Sequence, residues 1–355
     1  MGRTADEFKK KHDPLTIIET LQAELDEARR ELALNDYVKQ VLGTTNLDRD
    51  PPKWIAGKAL DTEAPGVPTL FLSDLHWGEV VRPEELGGVN RFNLSIARAR
   101  LEHTVRTAVQ LLQILDPKMR YPGIVVPLGG DMISGDIHEE LAETNELPSI
   151  PTVLDLHDSL VPAINLLADT FGHVFLPCVA GNHGRTKKKP QFKNRARRSF
   201  DLMLYQFLMR TLRNDARVTF HIPDGPDARY RVAGVTYNLT HGDQFRAGDS
   251  IIGPIGPLMR GNQKKTAKQA SVQRPYDVML AGHWHQYIHL SRMIVNGSLK
   301  GYDEYADSWN FPVEPPQQAL WVTHPRYGIN WRMPVLCDQP PKGAREPEWV
   351  SVPRT

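Results

Sequence analysis

Apolar and polar positions divide this chain of 355 residues into short apolar runs separated by longer amphipathic stretches. The runs Leu70–Leu72, Ile124–Leu128, Val174–Val179, Val235–Leu239 and Val278–Ala281 are too brief for helices and read as buried strands. Between the first two, Asn93 to Leu115 carries Leu94, Ile96, Leu101, Val105, Val109 and Leu112 at helical spacing, and Asp116-Pro117 ends it. Thr152–Phe171 reads as another helix, and Phe200–Leu212 as the completion of a helix that the preceding basic residues open. Arg217–Leu239 alternates like strands around a turn at Pro223-Asp224-Gly225-Pro226, which predicts a second sheet ending at His241. Gly248–Met259, rich in glycine and proline, reads as a loop. Met293–Gly297 and Ala319–Thr323 read as closing strands, with Trp309, Phe311, Trp321 and Trp331 covering a sheet edge. Strands alternating with helices place the chain in the α/β class.

The two ends differ from this pattern. Pro14 to Leu42 reads as one helix, with Ile18, Leu21, Leu25, Ala28 and Leu32 at heptad spacing. Such a stripe either packs on its own domain or joins two copies as a homodimer. Prolines between Asp48 and Pro68 mark a linker, and those from Pro340 onward an extended tail. The expected division is residues 1–66 for helix and linker, 67–335 for the main domain and 336–355 for the tail.

Composition changes the picture little. Apolar content of 40% is that of a chain that buries a core, and a net charge of +1 points to no partner. Cys178 and Cys337 lie far apart, and Cys178 sits in an apolar run, so a buried free thiol is expected. No apolar run approaches the roughly 20 residues that span a bilayer, and the N-terminus lacks a signal peptide's apolar core. A soluble protein of the reducing cytoplasm, without a membrane partner, is the expectation.

The candidate chemistry sits where the strands end. Asp74-Leu75-His76 follows the first run, then come Gly130-Asp131, Gly181-Asn182-His183, His241-Gly242-Asp243 and Gly282-His283-Trp284-His285. Strand after strand delivers Asp, Asn or His to its C-terminal end, the edge where open α/β sheets bind ligands. The ordered set, from about Thr69 to His285, resembles the calcineurin-like metallophosphoesterase family, and its nuclease-like branch in particular. That family's pattern is D-x-H, G-D, G-N-H-[D/E], H, G-H-x-H. Gly184 departs from it, standing where an acid is usual.

The resemblance implies a four-layer α/β/β/α sandwich of two packed mixed sheets, with the N-terminal helix as an extension. It also implies two divalent metal ions. Asp74, His76, Asp131 and His285 would hold the first; Asp131 as bridge, Asn182, His241 and His283 would hold the second. Mixed nitrogen and oxygen ligation suits Mn²⁺, with Fe or Zn²⁺ as alternatives. Two such ions neutralise phosphate oxygens and activate water, which answers the two obstacles to phosphodiester hydrolysis. The resemblance places His183 beside the leaving group, as proton donor or charge stabiliser. Without an acid at Gly184, its orienting partner would be another carboxylate, Asp243 or one from the first loop. His138 lies near these motifs, followed by an acidic run that reads as a solvated helix face.

Two stretches are basic and free of acids. One holds Arg185, Lys187, Lys188, Lys189, Lys193, Arg195, Arg197 and Arg198, the other Arg260, Lys264, Lys265, Lys268 and Arg274. Each adjoins a catalytic motif, which suggests a track for a polyanion. Arg185, Lys187, Lys188, Lys189, Lys264 and Lys265 are the candidate substrate contacts. The expected function is a dinuclear metal-dependent phosphodiesterase, a nuclease cutting DNA or RNA, with DNA foremost. The alternatives are a small-substrate phosphatase or cyclic-nucleotide phosphodiesterase, and a nucleic-acid-binding scaffold whose site is weakly active.

Overall fold

The computed structural model describes residues 64–191, 193–245 and 253–339, with Gln22 alone before them. The chain divides into two units, Met1–Asn46 and Leu47–Thr355, and the fold described here is that of the second. The expected N-terminal helix, most of the linker and most of the tail lie outside the described residues.

The first sheet runs β11-β10-β1-β2-β3-β4 and the second β5-β6-β7-β9-β8. In the first, β1 (Val67–Phe71), β2 (Ile124–Val125), β3 (Val174–Pro177) and β4 (Val218–His221) are parallel; β10 (Gln317–His324) and β11 (Gly328–Leu336) complete it antiparallel. In the second, β6 (Val235–Thr240), β7 (Val278–Ala281) and β9 (Met293–Val295) are parallel, with β5 (Asp227–Val232) and β8 (Ile288–Leu290) antiparallel at the edges. Parallel strands need crossovers. The helices α1 (Leu94–Leu115), α3 (Ser149–Phe171) and α4 (Phe200–Thr211) supply them in the first sheet, and α5 (Ile255–Ser271) joins β6 to β7. The short helix α2 (Glu139–Thr144) carries the acidic run and buries no residue.

Local chemistry explains these boundaries. Asn93 caps α1 by accepting from the Ile96 N–H at 2.9 Å, and Leu94, Ala97, Leu101, Val105, Ala108 and Leu112 form its buried stripe. The Asp116-Pro117 step ends it, since proline disfavours helical geometry in the residue before it. α3 ends on Gly172, at φ +74°.

Helices α1 and α3 pack on the outer face of the first sheet, α4 packs on α3, and Leu258 of α5 packs under the second sheet with Phe245, Tyr276, Met279 and Met293. Between the sheets lie Phe71, Phe175, Tyr230, Tyr237, Leu239, Leu280 and Trp321. Ring contacts run from Phe71 to Trp321 (6.5 Å), Tyr237 (6.1 Å) and Tyr230 (5.6 Å), then to Phe175 (5.7 Å). The result is the expected four-layer α/β/β/α sandwich of two mixed sheets.

Several expectations need correction. The turn at Pro223–Pro226 does not close a hairpin: β4 belongs to the first sheet and β5 to the second, so it carries the chain between them. The hairpin is β5–β6, turned at Ala233-Gly234 with both φ positive, a signal hidden because only one of the two is glycine. Pro68 lies inside β1 rather than in the linker; β2 meets β1 only at Thr69, so the Pro68 end of β1 pairs with β10 alone and its missing donor is tolerated. The basic residues before Phe200 form loop and a 3₁₀ turn, Ala196–Arg198, because Ser199 caps a fresh helix by accepting from the Asp201 N–H. Ile255–Met259 is helical, so the second basic stretch rides on α5. Trp321 is fully buried between the sheets rather than covering an edge, while Trp309, Phe311 and Trp331 are exposed.

Candidate metal centre

The fold brings the predicted ligands to one place. Asp74 and His76 follow β1, Asp131 follows β2, Asn182 and His183 follow β3, His241 follows β6, and His283 and His285 follow β7. Both sheets therefore present the C-terminal ends of parallel strands to one edge. Hydrogen bonds cross between them there: His241 Nδ1 lies 2.9 Å from the Gly129 carbonyl, and the His283 N–H donates to Asp74 Oδ1 at 2.8 Å.

The backbone is unusual at the ligands themselves. Asp74, His76, Asp131, His283 and His285 all have positive φ, between 47° and 68°. Each such non-glycine residue costs of order 1–3 kcal/mol, which persists only where surroundings enforce it. Here the His76 N–H donates to the Asp131 carbonyl (3.1 Å) and the Asp74 N–H to the Gly130 carbonyl (3.0 Å). Two glycines are required by close approach: a Cβ on Gly181 would lie 2.1 Å from Asp131 Oδ1, and one on Gly282 would lie 2.3 Å from Asp74 Oδ2.

Three candidate ligand groups converge: Asp74, His76 and His285; His76, Asp131 and His183; Asp131, His241 and His283. Asp131 and His76 each belong to two of them. His183, expected to stand clear of any metal, thus shares a group with Asp131. Asn182 Oδ1 lies 3.1 Å from His241 Nε2.

The polar atoms fit a cation. His241 Nδ1 faces a carbonyl and so carries the proton in the neutral ring, leaving a lone pair on Nε2. That lone pair faces Asp131 Oδ2 at 2.9 Å and Asn182 Oδ1, both acceptors. Acceptors meeting in a dry site need a proton or a cation among them. Asp131 Oδ2 is buried without a hydrogen-bond partner, and the Nε2 atoms of His76 and His285 lie 3.0 Å apart. Where a proton rather than a cation fills that gap, His241 carries it: burial opposes the imidazolium, but Asp131, Asp74 and Asp243 outweigh it and push its pKa up to about 10. Burial pushes His76 and His283 down to about 4, so both are neutral rings with lone pairs to give. Burial alone would raise the Asp131 carboxyl; His241, His183 and His76 outweigh it and hold it well below the usual carboxylate range.

Behind the ligands stand residues that no motif marked. Glu79 Oε2 lies 3.2 Å from His76 Nδ1 and accepts from Ser134 Oγ (3.1 Å), and its Oε1 accepts from the buried Lys300 Nζ (2.7 Å). Lys300 also pairs with Asp303. Asp201, fully buried on α4, accepts from the N–H groups of Gly181 (2.8 Å), Asp131 (3.2 Å) and Met132 (3.2 Å). Glu79 had a local signal, an acid three residues after His76. Asp201, 70 residues from Asp131, had none.

His183 Nδ1 lies 2.9 Å from the Ser134 carbonyl, so a backbone oxygen orients it. Asp243, the carboxylate named as a candidate, instead accepts from Arg195 at 2.6 Å, and Glu79 of the first loop is held by Ser134 and Lys300. The His138 ring lies tilted beside that of His183, with centroids 5.5 Å apart.

The basic residues are placed variously. The Arg185 guanidinium donates to the Lys187 (3.1 Å) and Lys188 (3.0 Å) carbonyls. Lys187, Lys188, Lys189 and Lys264 are exposed, and Lys188 pairs with Glu139 at 2.5 Å. Lys265 turns inward to Asp227 (2.5 Å) and Thr240 Oγ1 (3.0 Å). Cys178 and Cys337 are both free and buried. Among the described residues, no helix is long and apolar enough to cross a membrane.

No protein-family model and no curated protein sequence matches the chain. Among solved structures it is similar to Vacuolar Protein Sorting 29 from Cryptosporidium parvum, at 13% identity over 73% of this chain and 86% of that one, TM-score 0.30. It is similar also to Vps29 of Entamoeba histolytica complexed with zinc, at 10% identity over 77% and 100%, TM-score 0.30. A third is the sulfate thiohydrolase SoxB of Thermus thermophilus in complex with glycerol, at 10% identity over 78% and 57%, TM-score 0.31. Likeness at this level decides nothing about activity beside the distances above.

Proposed function

We propose that this chain is a metallophosphoesterase of the calcineurin-like kind that hydrolyses phosphodiester bonds of nucleic acid. The observation that carries the proposal is Asp131: it belongs to two ligand groups, and its buried Oδ2 lies 2.9 Å from His241 Nε2. One ion would be held by Asp74, His76, Asp131 and His285, the other by Asp131, Asn182, His241 and His283. Mn²⁺ suits this donor set, as do Fe and Zn²⁺. Such ions, when bound, neutralise phosphate charge and make water a competent nucleophile near neutral pH.

The chain's own residues do the rest. His183 would act as the imidazolium, its Nδ1–H on the Ser134 carbonyl and its Nε2–H passing to the leaving oxygen as water attacks phosphorus and the P–O bond breaks, which leaves the neutral ring. The Arg185 guanidinium, partly desolvated, feels the charges of Asp243 and Asp131, so it lies within electrostatic reach of a phosphate bound beside them. The two basic stretches both reach the segment that carries His241: Arg195 donates to Asp243 (2.6 Å) and Lys265 to Thr240 Oγ1 (3.0 Å). A basic surface built from both, beside His241, favours a polyanion over a small ester.

The test is cleavage of labelled circular single-stranded DNA and linear duplex with Mn²⁺, with and without chelator, beside Asp131→Asn. Chelator-sensitive cutting that falls by on the order of 10³ in the variant is expected. The cutting should also weaken steeply with salt. Hydrolysis of nitrophenyl phosphate with no polynucleotide cut would assign the site to small esters instead.

A further inference from the structure

We infer that Asp201 is a positioning residue of the metal centre, supplying from α4 the carboxylate that residue 184 would otherwise provide. The inference rests on the metal-binding reading of Asp131.

Asp201 has no exposed surface and spans the two loops that carry Asp131 and Asn182. Its Oδ2 accepts from the N–H groups of Gly181 and Asp131 together, and its Oδ1 from Met132. One carboxylate thus ties the loop after β2 to the loop after β3. The same joint has further fastenings. The Phe200 N–H donates to the Gly184 carbonyl at 2.6 Å, and Arg185 bridges to Ser199. The His183 N–H donates to Asp131 Oδ1 at 2.7 Å, so the position of the bridging carboxylate depends on this loop.

Gly184 shows what Asp201 replaces. Its φ lies outside the positive range, so its backbone conformation is one that any residue adopts. Space alone excludes a side chain there: a Cβ would lie 2.8 Å from Asp201 Oδ1, 2.9 Å from its Cγ and 3.0 Å from Ser199 Oγ. The carboxylate of Asp201 fills the volume into which a side chain at 184 would grow. An acid at 184 and an acid at 201 therefore compete for one volume beside the same backbone donors.

The test is Mn²⁺ titration by calorimetry on the full chain, with far-UV circular dichroism as the fold control. The parent, Asp131→Asn, Asp201→Asn, Asp201→Ala, Gly184→Asp and the double variant Gly184→Asp/Asp201→Ala are compared. Asp201→Asn keeps the shape and one acceptor, so it provides a folded variant if Asp201→Ala does not. Both Asp201 variants are expected to weaken Mn²⁺ about 10–100-fold, the usual effect of losing an outer-shell partner. Gly184→Asp alone is also expected to weaken it, by overcrowding, while the double variant returns to within about threefold of the parent. Two losses that cancel mark a shared volume and a shared role, which a merely structural acid would not show. Parent-like affinity in Asp201→Asn, or a folded double variant as weak as Asp201→Ala, overturns the inference. A parent that binds Mn²⁺ no better than Asp131→Asn overturns the metal reading and this inference with it.

Discussion

At the scale of single residues, the site is defined as much by protonation as by position. His76 and His283 are kept neutral by burial, and the Gly129 carbonyl fixes the orientation of the His241 ring through Nδ1. A different histidine offers a cleaner reading of the same physics away from the ligands. His289 on β8 sits against Tyr287 and Trp321, both ring nitrogens lack partners, and burial, with Arg332 nearby, pushes its pKa down to about 4. The folded state thus binds this proton less readily than the unfolded state, whose pKa is near 6.5. Its contribution is whole above about pH 6.5 and declines as pH falls toward 4. Between pH 7 and pH 5 the parent should lose on the order of 1 kcal/mol more stability than His289→Phe, after allowance for partial exposure. Urea midpoints at the two pH values check this.

At the scale of elements, the decisive contact is between the sheets. Ligands come from β1, β2 and β3 on one sheet and β6 and β7 on the other, so their spacing depends on the aromatic layer that holds the sheets together. Trp321 is its centre. The ring touches Phe71 and Tyr237, and its Nε1–H donates to the Tyr237 hydroxyl at 3.2 Å. Trp321→Ala is expected to cost about 3–5 kcal/mol through lost burial and the cavity left behind. A fall in urea midpoint with unchanged slope would show it. The same element scale explains the hairpin that was missed: Ala233 in the left-handed region carries no sequence mark, and only the pairing of β5 with β6 reveals it.

At the scale of the whole molecule, the candidate metal centre would link binding to stability. The folded chain gathers Asp74, Asp131 and their histidines from points more than 200 residues apart, as between His76 and His285. An unfolded chain offers no such site, so ions held by these residues would favour the folded state. A free ion at about 100 times its dissociation constant adds about 2.7 kcal/mol per site. Removing metal with chelator should therefore lower the melting temperature, and returning Mn²⁺ should restore it, while Asp131→Asn should respond little to either. Scanning calorimetry at matched ionic strength measures the difference.

The division between sequence and tertiary structure follows from range. The ligand motifs and most strand positions were legible because each is local: an apolar run, then a turn with a polar residue that strand geometry throws to one edge. Asp74, His76, Asp131, Asn182, His241, His283 and His285 could be named because the motifs after such runs resemble a family's ligand pattern, and the fold places them together. The partners of those residues were not legible. Lys300 reaches Glu79 across 221 positions, and Asp201 reaches Gly181 from a helix whose start reads in sequence as the continuation of one opened by the basic stretch. The sheet to which β4 belongs was hidden as well, because alternation marks a strand without naming its neighbour. Local pattern decides what a residue can be; the packing of distant elements decides which groups it faces, and so which atoms carry protons and which are free for a cation.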